Sequence, residues 1–180
     1  MPLVSKLDRW TARSSRGFSL VELLVVVMVI LVIAAIAIPS LVHARMHANE
    51  ASAISSMRAV RTAELMYQDA YPDEGFADSM VKLGPNGSDC TRVGKTNSCL
   101  LMDETLASGL KSGYVFDLTG DGSKPAAGYT LTATPESSGV SGRCSFSSDA
   151  SGQITMKDGT GKGGGAFAVN AGGGGGGCDQ

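Results

Sequence analysis

Apolar side chains are concentrated in one stretch near the N-terminus of this 180-residue chain. Between Phe18 and Ile38, 19 of the 21 side chains are apolar, and Glu22 carries the only charge. A helix of roughly 20 apolar residues is long enough to cross a bilayer core of about 30 Å. The pattern therefore predicts a membrane-spanning helix over residues 18–38.

A helical pattern continues over residues 39–71, the stalk half of the same helix. Pro39 lacks a backbone donor, which predicts a kink or local unwinding there, and Tyr71-Pro72 ends the pattern. At 100° per residue, the side chains predicted to receive a β-sheet are Ala53, Ser56, Val60, Ala63, Tyr67 and Tyr71. Those predicted to face away are Glu50, Arg58, Arg61, Glu64, Gln68 and Asp69, interrupted by Ile54, Met57 and Leu65.

Residues 72–180 change to short patterns separated by Gly, Pro, Asp and Ser. Strands are predicted at 114–118, 129–134, 143–148 and 153–157, a short helix at 102–108, a turn at 148–152 and an edge strand at 166–169. The stretch 159–177 holds 11 of the 24 glycines and predicts a C-terminal loop. The expected fold class is α+β: the long helix packs against a small four-stranded antiparallel sheet, with a disulfide-stapled C-terminal region.

Charges on either side of the apolar run predict its orientation. Lys6, Arg9, Arg13 and Arg16 stand before it against Asp8 alone. By the positive-inside rule this end stays cytoplasmic and the rest of the chain is exported.

Two simpler interpretations compete for the apolar run. A cleaved secretory signal with a site at Ala35–Ala37 would have an apolar core of about 7–15 residues, and this run is longer. A plain single-pass anchor leaves Glu22 unexplained, because an ionised carboxylate near hydrocarbon costs about 2.5 kcal/mol or more. Glu22 is also close enough to the end of the run to lie hydrated at headgroup depth.

The segment Gly17-Phe18-Ser19-Leu20-Val21-Glu22-Leu23-Leu24, followed by the apolar run and Pro39, resembles the N-terminus of type IV pilin precursors and type II secretion pseudopilins. The resemblance implies that a prepilin peptidase cuts between Gly17 and Phe18 and that Phe18 is then N-methylated. It also implies that Glu22 docks the subunit by neutralising the terminal amine of a neighbour. The leader of 17 residues leaves the class of assembly system open.

The expected domains are a cleaved leader at 1–17, a transmembrane and polymerisation helix at 18–38, a stalk helix at 39–71 and a β-rich head at 72–180. Through the resemblance, the expected partners are further copies of the chain joined by their N-terminal helices, prepilin peptidase, the pilus assembly machinery and inner-membrane lipid. The head is expected in the periplasm before assembly, and afterwards on a cell-surface pilus or a periplasmic pseudopilus.

The resemblance implies a structural pilin of a type IV pilus; the alternatives are a pseudopilin of a type II secretion system and a minor pilin. A membrane-anchored enzyme is disfavoured because both histidines lie on the predicted stalk, and the head offers neither a Ser, His and Asp set nor paired carboxylates. No cofactor is expected. A net charge of -2 and a pI of about 5.6 argue against nucleic-acid binding.

Four cysteines in an exported chain predict disulfides, and four cysteines allow three pairings. We predict Cys90–Cys99, which closes a short loop, and Cys144–Cys178, which ties the C-terminus to a strand. The absence of a Cys-x-x-Cys pair argues against zinc and against redox catalysis.

Two further patterns contain residues of the types that bind metals. Asp117 and Asp121 match the first half of a calcium loop, but Gly128 stands where a bidentate Glu is needed, so a hairpin turn is the preferred interpretation. His43 and His47 have the i, i+4 spacing of metal ligands. No carboxylate or cysteine is expected beside them at ligand spacing, so they are interpreted as polar residues at the lipid headgroups.

Overall fold

A computed structural model of the chain describes residues 17–85, 90, 93–158 and 167–168. Contacts divide the chain into two compact units, Met1–Ser40 and Leu41–Gln180. Each unit is described by itself below.

The first helix, α1, spans Leu20–Ala70 and agrees with the predicted element. Pro39 lies inside it, and helical residues adjoin it on both sides. The expected local unwinding is therefore wrong, because the loss of the single hydrogen bond that Pro39 cannot donate leaves the bonds of the neighbouring turns in place. A kink at Pro39 stays a prediction.

In the first unit, the part of α1 up to Ser40 leaves its side chains exposed, with Ala34 alone half-buried. The most apolar window of α1 has a mean hydropathy of 3.2, and none of that window is buried. By length and composition this helix can cross a membrane.

The second unit contains a six-stranded sheet in which each strand pairs antiparallel with the next along the chain. Its strands are β1 Leu110–Lys111, β2 Tyr114–Gly120, β3 Tyr129–Pro135, β4 Cys144–Asp149, β5 Ile154–Asp158 and β6 Phe167–Ala168. The four predicted strands correspond to β2–β5, and β6 lies within the predicted edge strand. The expected count of four was wrong because β1, with two residues, is too short to show a period-2 pattern.

The core of this unit lies between one face of the sheet and α1. Alternate strand residues point inward, including Tyr114, Leu131 and Phe146. From α1, the predicted residues Ala53, Ser56, Val60, Ala63 and Tyr67 are buried, and Tyr71 is half-buried. The predicted sheet-facing side of the helix is confirmed.

Two α1 residues expected to face away, Met57 and Glu64, are buried instead. The chain after α1 covers this side of the helix and adds Phe76, Ala77 and Leu83 to the core. The sequence pattern predicted that only a sheet packs against the helix. Because a second segment also packs against it, more of the helix surface is buried than predicted. This segment includes α2, Met80–Leu83, and is followed by α3, Glu104–Ala107, which falls within the predicted 102–108.

Candidate functional site

The N-terminal end of α1 holds the residues singled out by the sequence motif. Gly17 is exposed, and a β-carbon built on it would meet nothing within 4 Å. Its backbone is also outside the left-handed region that favours glycine. None of the residues that the structure describes therefore restricts the side chain at position 17.

Phe18 and Glu22 flank the start of the helix. Phe18 is 83% exposed and lies two residues before α1. Ser19, the residue between them, accepts a hydrogen bond of 3.2 Å at its carbonyl oxygen from Leu23 N in the first turn of the helix. Glu22 is exposed in the first turn. A carboxylate there interacts favourably with the positive end of the helix dipole.

Beyond Glu22, the helix surface up to Pro39 carries no charge. Its large side chains include Met28, Leu31 and Ile36, which are 65%, 64% and 75% exposed. Such a long apolar surface requires either lipid or other apolar helices around it. The site is thus a hydrophobic rod with one carboxylate near its end.

Residues 12–38 match the family model of the prokaryotic N-terminal methylation motif. The chain carries the leader motif of type IV pilins and pseudopilins. Proteins with this motif are structural subunits that prepilin peptidase processes and that assemble into pilus-like polymers. Neither the curated proteins nor the solved structures that were searched gave a match to the chain.

The motif covers the leader end and the apolar helix, so the remaining predicted sites rest on the structure. Cys90 and Cys99 form a disulfide with Cα atoms 5.9 Å apart, which confirms that pairing. Cys144 is buried at the start of β4. Cys178 lies outside the described residues, as does most of the glycine-rich loop, so the Cys144–Cys178 bridge stays a prediction.

The calcium candidate is a hairpin connection between β2 and β3. Asp121 Oδ1 accepts hydrogen bonds from Ser123 N at 3.0 Å and Ser123 Oγ at 2.7 Å, and its Oδ2 accepts one from Ala127 N at 3.1 Å. These bonds hold the pKa of Asp121 below its usual range. Asp117 lies exposed on β2, and no group of three metal-binding side chains exists among residues that the structure describes.

The two histidines are exposed on α1, but the expectation that no carboxylate stands at ligand spacing was wrong. Glu50, three residues after His47, brings Oε2 to 3.4 Å from His47 Nδ1. Its Oε1 accepts a hydrogen bond of 2.8 Å from Arg143 N. Glu50 therefore has a structural role, because its hydrogen bond links the head to the helix.

Glu64 is the residue that sequence reasoning missed. Its side chain is fully buried and Oε2 accepts a hydrogen bond of 2.8 Å from Ala77 N, whereas Oε1 has no hydrogen-bond partner among the residues that the structure describes. Burial raises its pKa to about 7. A signal was present, because Glu64 stands four residues after Val60 and three before Tyr67, a spacing that places all three on one side of the helix.

Proposed function

We propose that this chain is a pilin, a structural subunit of a type IV pilus filament. It is made with a leader, enters the inner membrane with its head in the periplasm, and matures by cleavage between Gly17 and Phe18 and N-methylation of Phe18. The observation that carries the proposal is an exposed apolar helix whose one carboxylate, Glu22, follows directly on the cleavage motif.

The exposed surface of residues 18–38 supports assembly through this helix. Apolar surface removed from water stabilises a structure by about 25 cal/mol per Å². Exposing this rod to water would therefore be unfavourable over its whole length. A subunit leaving the membrane must exchange lipid directly for the apolar helices of neighbouring subunits.

Glu22 determines how far along each other the helices of neighbouring subunits align when they come together. Cleavage leaves a terminal amine on Phe18, and an α-amine has an ordinary pKa of about 8 and is charged at neutral pH. An amine or carboxylate without a partner in apolar surroundings is costly, whereas a pair between subunits offsets that cost. The position in which the amine of one subunit meets Glu22 of another is the one that leaves neither charge unpaired.

The head has to move with the helix when the subunit is extracted. Besides the apolar core, hydrogen bonds join the stalk half of α1 to the head, and three of them come from residues 49–52. They are Asn49 Nδ2 to Ser141 O at 2.8 Å, Glu50 Oε1 to Arg143 N at 2.8 Å, and Ser52 Oγ to Ser112 Oγ at 2.9 Å. A pull on the stalk is thereby transmitted to the sheet.

A secretion pseudopilin shares the N-terminal chemistry and is the second candidate, with a minor pilin as a variant of the first. The major pseudopilin of such systems is expected, by family resemblance, to hold calcium. In this chain both oxygens of Asp121 accept hydrogen bonds from their own loop, which supports the pilus.

Electron microscopy of fibres sheared from the cell surface, with peptide identification, tests the proposal. We expect peptides of the head in the purified fibres. Fibres that lack this chain, from cells that express it in the membrane, would contradict the pilus and leave the pseudopilus as the candidate.

A further inference from the structure

The buried carboxylate of Glu64 has no role in the proposed filament function. It lies where α1 meets the cover segment, defined as residues 71–83. The cover segment runs from the end of α1 through α2 and contributes Phe76, Ala77, Met80 and Leu83 to the core. Glu64 is the polar contact between the helix interior and the middle of this segment.

We propose that Glu64 is a pH-sensitive latch that holds the cover segment on α1 as a neutral acid and loosens it when it ionises. In the neutral form, Oε2 accepts the hydrogen bond from Ala77 N and no charge is buried. In the ionised form the same bond strengthens, but Oε1 is a charged oxygen to which no residue of the described chain donates a hydrogen bond.

Whether ionisation tightens or loosens the cover segment depends on which is larger, the gain from the stronger hydrogen bond or the cost of burying the charge. A hydrogen bond to a charged group contributes about 1.5–3 kcal/mol, whereas the effective penalty for burying an ion is several kcal/mol. Desolvation is accordingly the largest influence on the carboxyl group, ahead of the opposing bond from Ala77 N. Ionisation therefore favours a state in which Glu64 reaches water.

The charged neighbours of Glu64 do not reverse this conclusion. From the cover segment, Asp78 raises the pKa of Glu64 and Lys82 lowers it. These two neighbours pair with each other at 2.8 Å, so their fields largely cancel. Glu64 also interacts with Tyr67 on α1 and Tyr129 on β3, each with a pKa that burial raises, so both are neutral wherever Glu64 titrates.

Opening of the cover segment does not require the sheet to unfold. Its other backbone ties are short-range, reach the loop between β2 and β3, as in Phe76 N to Ala126 O at 3.1 Å, or reach the chain before α3, as in Ser98 N to Lys82 O at 2.9 Å and Leu101 N to Leu83 O at 2.8 Å. None of these bonds joins the cover segment to a strand. Leu131, in the middle of β3, lies between two paired strands and is fully buried. The latch is thus a local element on a more stable sheet.

Hydrogen exchange at the amide of Ala77, in the full chain in detergent micelles, tests the latch directly. After correction for the intrinsic chemical rate, exchange should accelerate on the order of 100-fold between pH 4.5 and pH 8, while that of Leu131 should not change with pH. Glu64→Gln keeps the acceptor without the charge and should remove the acceleration. Glu136→Gln, at an exposed carboxylate, should retain it.

Two results would overturn the latch. One is an Ala77 exchange rate that stays constant with pH, or that keeps the same pH dependence in Glu64→Gln. The other is an acceleration shared equally by Leu131, which would report loss of the whole head. If Glu64→Gln fails to fold, the exchange rates of Ala77 and Leu131 in the wild type as a function of pH still test whether the cover segment opens locally on ionisation.

Discussion

The guanidinium group of Arg61 occupies the place next to Gly152 where a β-carbon would lie. Gly152 is in the turn between β4 and β5 with φ of +77°, and its N–H donates to Asp149 O at 2.9 Å. Arg61 Nη2 donates to Ser151 O at 3.2 Å. The turn thus packs closely against the Arg61 side chain of α1, and this contact holds the β4–β5 hairpin against the helix.

Gly152→Ala should lower the free energy of unfolding by about 1–3 kcal/mol, because it combines a left-handed backbone with displacement of Arg61. Gly139→Ala is a matched control, since Gly139 has φ of +79° and open space around it. The control should lose only the backbone part. Denaturant unfolding of both variants in the wild-type and Arg61→Ala backgrounds measures the difference. Equal costs of Gly152→Ala in the two backgrounds would contradict the packing role of Arg61.

The Cys90–Cys99 disulfide joins residues nine apart and closes the loop that reaches the end of α1. In that loop, Lys95 O accepts a hydrogen bond of 2.7 Å from Tyr67 Oη. By loop-closure entropy the bridge should contribute about 2–3 kcal/mol. The paired change Cys90→Ser and Cys99→Ser should lower stability by this amount. Unchanged unfolding midpoints with and without the bridge would show that the loop is held by its other contacts alone.

Asp103 caps the short helix α3 and anchors β1. Its carboxylate accepts hydrogen bonds from Lys111 Nζ at 2.6 Å, Thr105 Oγ1 at 2.6 Å and Leu106 N at 3.1 Å, and these donors hold the pKa of Asp103 well below its usual range. A lowered pKa gives stability that is present above about pH 4, the ordinary value for Asp, and is lost as the pH falls below it. Asp103→Ala should cost about 1 kcal/mol at neutral pH.

The cost of Asp103→Ala should shrink on acidification, because below its ordinary pKa Asp103 is protonated in the unfolded chain while it stays ionised in the folded one, which reduces the stability that the carboxylate contributes. Thermal unfolding at pH 7 and pH 3 measures the two costs. A cost that stays constant or grows at pH 3 would contradict the assigned role of the carboxylate.

The sequence predicted the elements whose patterns are long and the chemistry that is confined to a short segment. The apolar run, the alternation in β2–β5 and the sheet-facing residues of α1 such as Val60 and Tyr67 were visible, because each element repeats its own period. The motif around Gly17 and Glu22 was visible because it is contiguous.

The features that were missed arise from contacts between distant segments. Glu64 is buried because residues 71–83 fold over it; its spacing from Val60 and Tyr67 places it beside the buried face, but the helical period of α1 does not show which segment covers it. Similarly, Gly152 looked like an ordinary hairpin glycine, since the presence of Arg61 beneath it depends on how the sheet sits on the helix. Pairwise tertiary fit of this kind is not encoded in local periodicity.

Glu22→Ala should leave membrane insertion and leader removal intact and should abolish or strongly reduce fibre assembly, because the terminal amine of a neighbour loses its partner. Glu136→Ala removes an exposed carboxylate of the head and should assemble like the wild type. Immunoblots of membrane and sheared-fibre fractions measure both steps. Normal fibres from Glu22→Ala would refute the docking role.

The central claim is that this chain matures at Gly17 into a subunit whose first residue is a methylated Phe18. Intact-mass and N-terminal peptide mass spectrometry of the chain from cells that contain prepilin peptidase tests it most directly. We predict a mature chain that begins with N-methylated Phe18, and a chain that keeps its leader when Gly17 is changed to a bulkier residue. A mature chain that begins at any other residue, or an intact leader in the wild type, would contradict the account.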